Sequence, residues 1–253
     1  MIRNIFIALL AAIFMASCAS KEVSTYTFPN GDKYKGQFIF GKRNGSGTVI
    51  HPSGAVYEGN WKNDKRHGRG TMIFPDGSKY EGAWIDDLRS GLGKMYYSNG
   101  DYYDGYWKND KRNGYGRYTK KDGSIYKGYW KEDMFDGKGK LEISNGDVYE
   151  GHFEKNKFSG SGKYVFANKT FYDGMWQEGY YHGKGTEKYG DGSVYEGLFE
   201  NGEKSGTGTM TLKSGEKYKG EWKNGFRNGM GTEYDAKGAE IRKGRFINGT
   251  YSD

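Results

Sequence analysis

Residues 57–70 read YEGNWKNDKRHGRG, with a glycine between two aromatics and a Gly-x-Gly at the end. Variants of this phrase return along the whole chain. Tyrosine stands at 34, 57, 80, 103, 126, 149, 172, 195 and 218, always 23 residues apart. Glycine follows each tyrosine by two positions, Trp or Phe follows by four, and a Gly-x-Gly begins eleven on. A fixed period of this length marks a repeat architecture. Glycine inside a strand ordinarily weakens it, so its regular return needs a physical reason.

Composition bounds the answer. The 253 residues include 43 glycines, 23 tyrosines and 3 prolines, with 34% hydrophobic and 17% aromatic residues. That is too little apolar material for a thick core and too much aromatic material for disorder. It fits a thin β structure. The net charge is +7, but 39 basic residues are interspersed with 32 acidic ones. This describes a mixed surface and not a nucleic-acid-binding tail. The one cysteine, Cys18, excludes a disulfide framework or zinc cluster within the chain.

Each unit carries two turn signals. One follows the Trp, as Asn63-Asp64, Asn109-Asp110 or Asn224-Gly225; the other is Asp76-Gly77, Asn99-Gly100 or Asp122-Gly123. Such pairs tolerate positive φ and close hairpins. The segments between them have strand length, and none after residue 25 has helical periodicity. The expectation is all-β: a single-layer, elongated antiparallel β-meander solenoid of nine to ten hairpin repeats. A two-residue first turn places Tyr57 opposite Gly70, Gly59 opposite Gly68 and Trp61 opposite Arg66. Because 23 is odd, the second loop must be odd to keep the tyrosines on one face. A three-residue loop, Pro75-Asp76-Gly77, does so and places Met72 opposite Tyr80, Gly70 opposite Gly82 and Gly68 opposite Trp84. The row then expected across the sheet is Tyr57, Gly70, Gly82, Gly91, Trp107. Rings would fold over bare glycine backbone, as in aromatic rescue of glycine. About eighteen strands would make a ribbon roughly 90 Å long and 30 Å wide.

Tyr-x-Gly-x-Trp followed by Gly-x-Gly, as in YEGNW…GRG, YDGYW…GYG and YKGEW…GMG, resembles the MORN (membrane occupation and recognition nexus) repeat. The likeness spans residues 26–253, with Lys169 replacing a turn glycine and a degenerate cap at 241–253 whose Gly244 comes one residue late. It implies a non-enzymatic interaction and scaffolding module, with a protein partner or a second copy of itself. Residues 1–20, MIRNIFIALLAAIFMASCAS, are unlike the rest. A positive Arg3 and eleven apolar residues, too few to span a bilayer as a helix, read as a secretion signal. The Ala16-Ser17-Cys18 ending resembles the lipobox of bacterial lipoproteins, with Met15 where Leu is usual. The resemblance implies a signal peptide at 1–17, a lipid anchor on Cys18, a linker at 18–25 and, through Ala19, export to the outer membrane.

Nothing in the pattern asks for catalysis, a metal or a cofactor. His67 and His182 share a repeat position but lie roughly 48 Å apart, too far to share an ion. The carboxylates Glu58, Glu81, Asp104, Glu150, Asp173 and Glu196 alternate to the face opposite the aromatics and read as a solvated ladder. The Gly-x-Gly lacks the Gly-Lys-Ser/Thr and helix of a phosphate loop. Lys42, Arg43, Lys65, Arg66, Lys111 and Arg112 form a candidate edge for anionic lipid. The competing reading is packing: Arg43, Arg66, Arg89, Arg112 and Arg227 each face the Trp or Phe of their own hairpin, where a cation–π contact forms. Phe135, Phe158 or Tyr181 takes that place elsewhere. Tyr57, Trp61, Tyr80, Trp84, Tyr103, Trp107, Tyr126, Trp130, Trp176 and Trp222 form the candidate interaction face, because a large accessible apolar patch marks a binding surface. The expected role is a scaffold anchored to membrane at the bacterial cell envelope. The alternative is direct binding of anionic phospholipid or envelope polysaccharide by the repeats.

Overall fold

The computed structural model describes residues 23–252. The signal at 1–17 and Cys18 lie outside the described residues. Among the described residues, 21 strands form one sheet without a helix. Each strand runs antiparallel to its chain neighbours, and the sheet stays open. Val23–Thr27 pairs with Lys33–Ile39 at one end, and Thr250–Ser252 with Glu240–Ile247 at the other. The single-layer meander expected from the repeat is the fold.

Every repeat contributes a seven-residue and a nine-residue strand, as in Val56–Lys62 and Lys65–Ile73. Asn63 and Asp64 between them both take positive φ, 48° and 69°. That is the mirror-image turn whose twist matches the flanking strands. The second loop is closed by Phe74 N–H to the Ser78 carbonyl at 2.9 Å and by Gly77 N–H to the Phe74 carbonyl at 3.0 Å. Its three residues are therefore Pro75, Asp76 and Gly77. Lys169 adopts the left-handed conformation of the glycine it replaces, φ 69°, and its loop still closes.

The register corrects one expectation. Trp61 does face Arg66, but Gly59 faces Gly70 and Tyr57 faces Met72. A bulge separates the two registers, with His67, Gly68 and Arg69 set against Asn60 alone. The second loop keeps its expected partners, Met72 with Tyr80, Gly70 with Gly82 and Gly68 with Trp84. The true row is thus glycine throughout: Gly47, Gly59, Gly70, Gly82, Gly93, Gly105 and Gly116 face one another in turn. The row Tyr57, Gly70, Gly82, Gly91, Trp107 does not form. The bulge adds two residues, and a shift of two returns every side chain to its own face. Tyr57 and Trp61 therefore still share a face.

The two glycines of each Gly-x-Gly have different tasks. Gly68 has φ +81°, which turns the backbone through the bulge. Gly70 is under the tyrosine: a Cβ there would sit 2.5 Å from Tyr57 Cε2. The ring lies on the bare backbone and its hydroxyl donates to the Asn60 carbonyl at 2.9 Å. Trp84 Nε1 donates to the Gly70 carbonyl at 3.2 Å. Both polar tips are satisfied, so burial leaves no orphan donor. Tyr57 meets Trp61 at 5.1 Å and Trp84 at 5.5 Å, edge to face in both cases. Tyr80 repeats this with Trp84 and Trp107. Such pairs contribute ~0.5–1.5 kcal/mol each beyond area burial. The zigzag of rings is the core of the sheet.

The C-terminal unit supplies its tyrosine from elsewhere. Phe246 is fully buried in the place of a Trp, and Gly244 holds the glycine row opposite Gly231. The ring over Gly244 belongs to Tyr251, on the next strand.

Candidate interaction surfaces

The ten aromatics expected to form an accessible face are buried. Tyr57, Tyr80 and Tyr103 are 0% exposed, Tyr126 is 1%, and Trp61, Trp84, Trp107, Trp130, Trp176 and Trp222 are 3–6%. Each tyrosine ring lies on glycine backbone and each tryptophan meets tyrosine rings edge to face, so their area is consumed in packing. Burial also pushes the phenols of Tyr57, Tyr80, Tyr103 and Tyr126 well above the usual tyrosine range.

The arginines of the candidate lipid edge are also engaged, chiefly with the Trp of the following repeat and not with the Trp or Phe of their own hairpin. The Arg66 guanidinium lies 4.3 Å from the Trp84 ring of the following repeat. Its Nε donates to Asp87 Oδ1 at 3.0 Å, its terminal NH2 to the Asp87 carbonyl at 2.9 Å, and the Arg66 N–H to Asp87 Oδ1 at 2.9 Å. The Asp87 N–H returns a bond to the Arg66 carbonyl at 3.0 Å. Arg89 with Trp107 and Asp110, and Arg112 with Trp130 and Asp133, are built alike. Arg43 reaches Trp61 at 4.1 Å and Asp64 at 3.5 Å. These four side chains are only 17–23% exposed. Sequence reasoning missed the aspartate, although an Asp stands 21 residues after each of the four arginines.

In the next three repeats the same place holds an aromatic. Phe135 stacks on Tyr126 at 3.7 Å, Phe158 on Tyr149 at 3.8 Å and Tyr181 on Tyr172 at 3.7 Å. Lys204 follows, with its ammonium 5.0–5.5 Å from the Tyr189, Tyr195 and Trp222 rings. Position 225, where an Asp would face it, is Gly. Loss of hydration holds the Lys204 amine below its usual range. Arg227 contacts its own Tyr218 at 4.7 Å and pairs with Glu233 at 2.5 Å.

The first-turn edge exposes charges of both signs: Lys111 pairs with Glu132 at 3.5 Å and Lys157 with Glu178 at 2.5 Å. Lys62 faces Lys65 and Lys108 faces Lys111, with Ile85 opposite Leu88 between them. Lys42, Lys65 and Lys111 are exposed, and Phe40 at the turn tip is 96% exposed. The carboxylate ladder lies on the opposite face, interleaved in register: Thr48, Glu58, Thr71, Glu81, Lys94, Asp104, Arg117. His51 is held by Asp32 at 2.8 Å and His67 by Asp86 at 3.3 Å. Among the described residues no three His, Cys, Asp or Glu side chains converge on a metal-sized site. On the ladder face stand Leu92, Tyr106, Tyr115 and Tyr129, which are 49–59% exposed and which the repeat pattern does not single out.

These features define a class: a repeat ribbon whose hairpins pack only on their neighbours. The description "MORN repeat" matches residues 34–56, 57–79, 80–102, 103–125, 126–148, 149–171, 172–194, 195–217 and 218–240. The chain belongs to the MORN-repeat family. No curated protein matches it. Among solved structures it is similar to the TCP10 domain of Danio rerio CPAP, at 12% identity and a TM-score of 0.42, covering 88% of this chain and 100% of that one. The same domain in complex with a peptide of Danio rerio STIL matches with a TM-score of 0.42 and 12% identity over 89% and 100%. An inactive virginiamycin B lyase from Staphylococcus aureus matches at 11% identity and a TM-score of 0.15, over 89% and 85%. At such identities and scores no activity or partner transfers to this chain.

Proposed function

We propose that this protein is a non-enzymatic scaffold, held on a bacterial membrane by a lipid on Cys18, that binds another protein through its repeat surface. The observation that carries the reading is how the repeat uses its residues. Tyrosine, tryptophan and glycine are used up in internal packing, nine times over, and leave two long uncovered faces. Repeat ribbons of this kind offer extended binding surfaces. A catalytic constellation needs one unlike site, and the carboxylates recur as a ladder interleaved with Thr, Lys and Arg. The Ala16-Ser17-Cys18 sequence supports the anchor.

Two experiments test it. Mass analysis of the mature N-terminus should find a lipidated Cys18; an unmodified or uncleaved chain would remove the anchor. Cross-linking in whole cells should give a discrete adduct with one partner or a second copy. Random adducts only, with a monomer by light scattering, would contradict the scaffold.

A second reading, direct contact with anionic lipid, is favoured by the Lys62/Lys65 pair and by exposed Phe40 at the neighbouring turn of the same edge. Cations and an apolar tip on one edge suit an anionic interface. Flotation of unlipidated Cys18→Ala protein with anionic vesicles tests it; absence from the floated fraction would end it.

A further inference from the structure

On the ladder face, the residues three after each tyrosine and those between the paired glycines form a row across the strands. In register they are Ser46 with Asn60, Arg69 with Ala83, Leu92 with Tyr106, Tyr115 with Tyr129, and Lys138 with His152. The row is polar, becomes apolar from Ala83 to Tyr129, and turns polar again at Lys138. The Cβ of Tyr106 packs beside Gly114 and that of Tyr129 beside Gly137, the bulge glycines of their own repeats. Tyr115 and Tyr129 meet edge to face at 5.5 Å. Half of each ring is left to solvent, whereas the Tyr and Trp of the repeat motif are buried almost completely.

A charged row runs beside it, Lys94 opposite Asp104, Asp104 opposite Arg117 and Arg117 opposite Lys127. Among the described residues Lys94, Arg117 and Lys127 hold no salt bridge, whereas Lys79 and Lys140 nearby hold Glu81 and Glu142. The glycine row forms the floor between the two rows. Two recesses result, one lined by Gly82, Leu92, Gly93 and Lys94 and the other by Tyr115, Lys127, Tyr129 and Gly139, and the strand of Tyr106 runs between them.

We propose that these two recesses, with Tyr106 between them, form a groove that binds an acidic, proline-rich peptide segment in the polyproline II conformation, lying across the strands. The inference rests on the scaffold reading and names its partner class. The argument is a match of periods. Equivalent positions in successive repeats are two strands apart, roughly 9.6 Å. Three residues of polyproline II rise about 9.3 Å. Prolines at every third position therefore meet Tyr106 and then Tyr129 in step. Polyproline II makes no internal hydrogen bonds, so its carbonyls seek donors. The phenol hydroxyls and three cations without a salt bridge supply them; between Lys94 and Lys127 the only carboxylate of the row is Asp104, and Glu81, opposite Lys94, is already bridged to Lys79 at 2.7 Å, so the charge left over favours acidic flanking residues. An added β-strand would need open backbone, and the floor is already paired on both sides. A sugar chain would call for carboxylate and amide partners around the rings, and the charged row from Lys94 to Lys127 offers Asp104 alone.

The test is fluorescence anisotropy of the full mature chain with a labelled peptide of repeated Pro-Pro-Glu triplets. A peptide with Gly for Pro is the control. Saturable binding of the proline peptide alone is expected. Tyr106→Ala with Tyr129→Ala should weaken it by about tenfold or more, as loss of anchoring aromatics does. Lys127→Glu should weaken it by roughly threefold and flatten its salt dependence. Both variants should keep the wild-type circular dichroism and melting midpoint, since the altered side chains lie outside the core. No binding, equal binding of the glycine peptide, or an unchanged affinity in the tyrosine variant would overturn the proposal. So would tyrosine-dependent binding of a chito-oligosaccharide in place of the peptide. Repeating the in-cell cross-linking with the tyrosine variant separates the two readings. If the wild-type adduct persists, the scaffold stands and this groove is not its site; if the wild type gives no adduct, the scaffold itself falls.

Discussion

The repeats that begin at Tyr34, Tyr57, Tyr80 and Tyr103 and those that begin at Tyr126, Tyr149 and Tyr172 share one backbone but close one side-chain position differently. In the first group a guanidinium lies on the next Trp and grips the next turn's Asp, as Arg89 does with Trp107 and Asp110. In the second a ring stacks on its own tyrosine, as Phe158 does on Tyr149, and touches the next Trp176 at 5.1 Å. The Asp site changes with it, to Asn156, Gly179 and Gly202. One bond survives in both groups: the turn N–H of Asp110 donates to the Arg89 carbonyl at 3.1 Å, and that of Gly179 to the Phe158 carbonyl at 3.0 Å. The lesson is that this position is defined by its walls, an aromatic on each side. A flat cation with a counter-ion and a flat apolar ring both satisfy them.

The largest expected effect treats the two groups alike. Burial raises the tyrosine pKa in both, in Tyr80 and in Tyr149. A raised folded-state pKa contributes stability that is present below the unfolded value and is lost as pH rises towards the folded one. The unfolded chain's tyrosines ionise near pH 10, so cooperative alkaline unfolding should begin at about pH 10 and involve every repeat. Circular dichroism against pH checks this; one half melting well before the other would break the equivalence.

Next come the plugs themselves. Phe158→Ala removes a ring stacked on Tyr149 and should cost about 3–4 kcal/mol, unaffected by salt. Arg89→Ala should cost less, about 2 kcal/mol, with part of that screened by salt because Asp110 is 41% exposed. Urea melts at low and high salt compare them; the opposite order would show that the ion pair dominates. The exchange Arg89→Phe with Asp110→Asn turns one kind of repeat into the other. It should stay within ~1 kcal/mol of wild type and lose the salt dependence, whereas Arg89→Phe alone leaves the aspartate unpaired. A double variant worse than the single would mean that the two solutions are not interchangeable.

The smallest effect concerns Lys204, which has the aromatic walls but no aspartate. Lys204→Arg with Gly225→Asp should rebuild the clamp and add roughly 0.5–1 kcal/mol, since Asp is tolerated at the equivalent left-handed position in Asp64 and Asp87. Because the Lys204 amine is held below its usual range, the unfolded chain binds its proton more tightly. Its contribution therefore improves as pH rises through that window, and Lys204→Met should erase this dependence. A flat difference between the two proteins from pH 8 to 10 would contradict it.

Much of this was legible in the residues. The tyrosine period, the two turn signals and the parity of the loops define a one-sided meander, and Gly77 was readable as left-handed. The bulge at Gly68 was not, because a slip of two residues keeps every side chain on its expected face and leaves the pattern unchanged. The pattern puts the arginines in aromatic company but points to the wrong ring, since Trp61 is opposite Arg66 while Trp84 is under it. Tyr251 could not be matched to Gly244 from spacing, because it reaches back from a later strand. A single layer has nothing above it, so the pattern implies an open aromatic face; the tyrosine rings instead lie down on the glycine row. Tyr106, Tyr115 and Tyr129 were hidden among 23 tyrosines, and only their offset from the repeat tyrosine separates them.

The central claim is that tyrosines lying on a bare glycine row make one layer self-sufficient. Gly93→Ala tests it most directly, because Gly93 does not have positive φ, and a Cβ there meets only the Tyr80 ring and hydroxyl among its nearest atoms. Urea unfolding should show a loss of about 2–3 kcal/mol, shrinking to ~0.5 kcal/mol in a Tyr80→Ala background. A Gly93→Ala protein as stable as the wild type would show that the ring does not need the bare backbone beneath it.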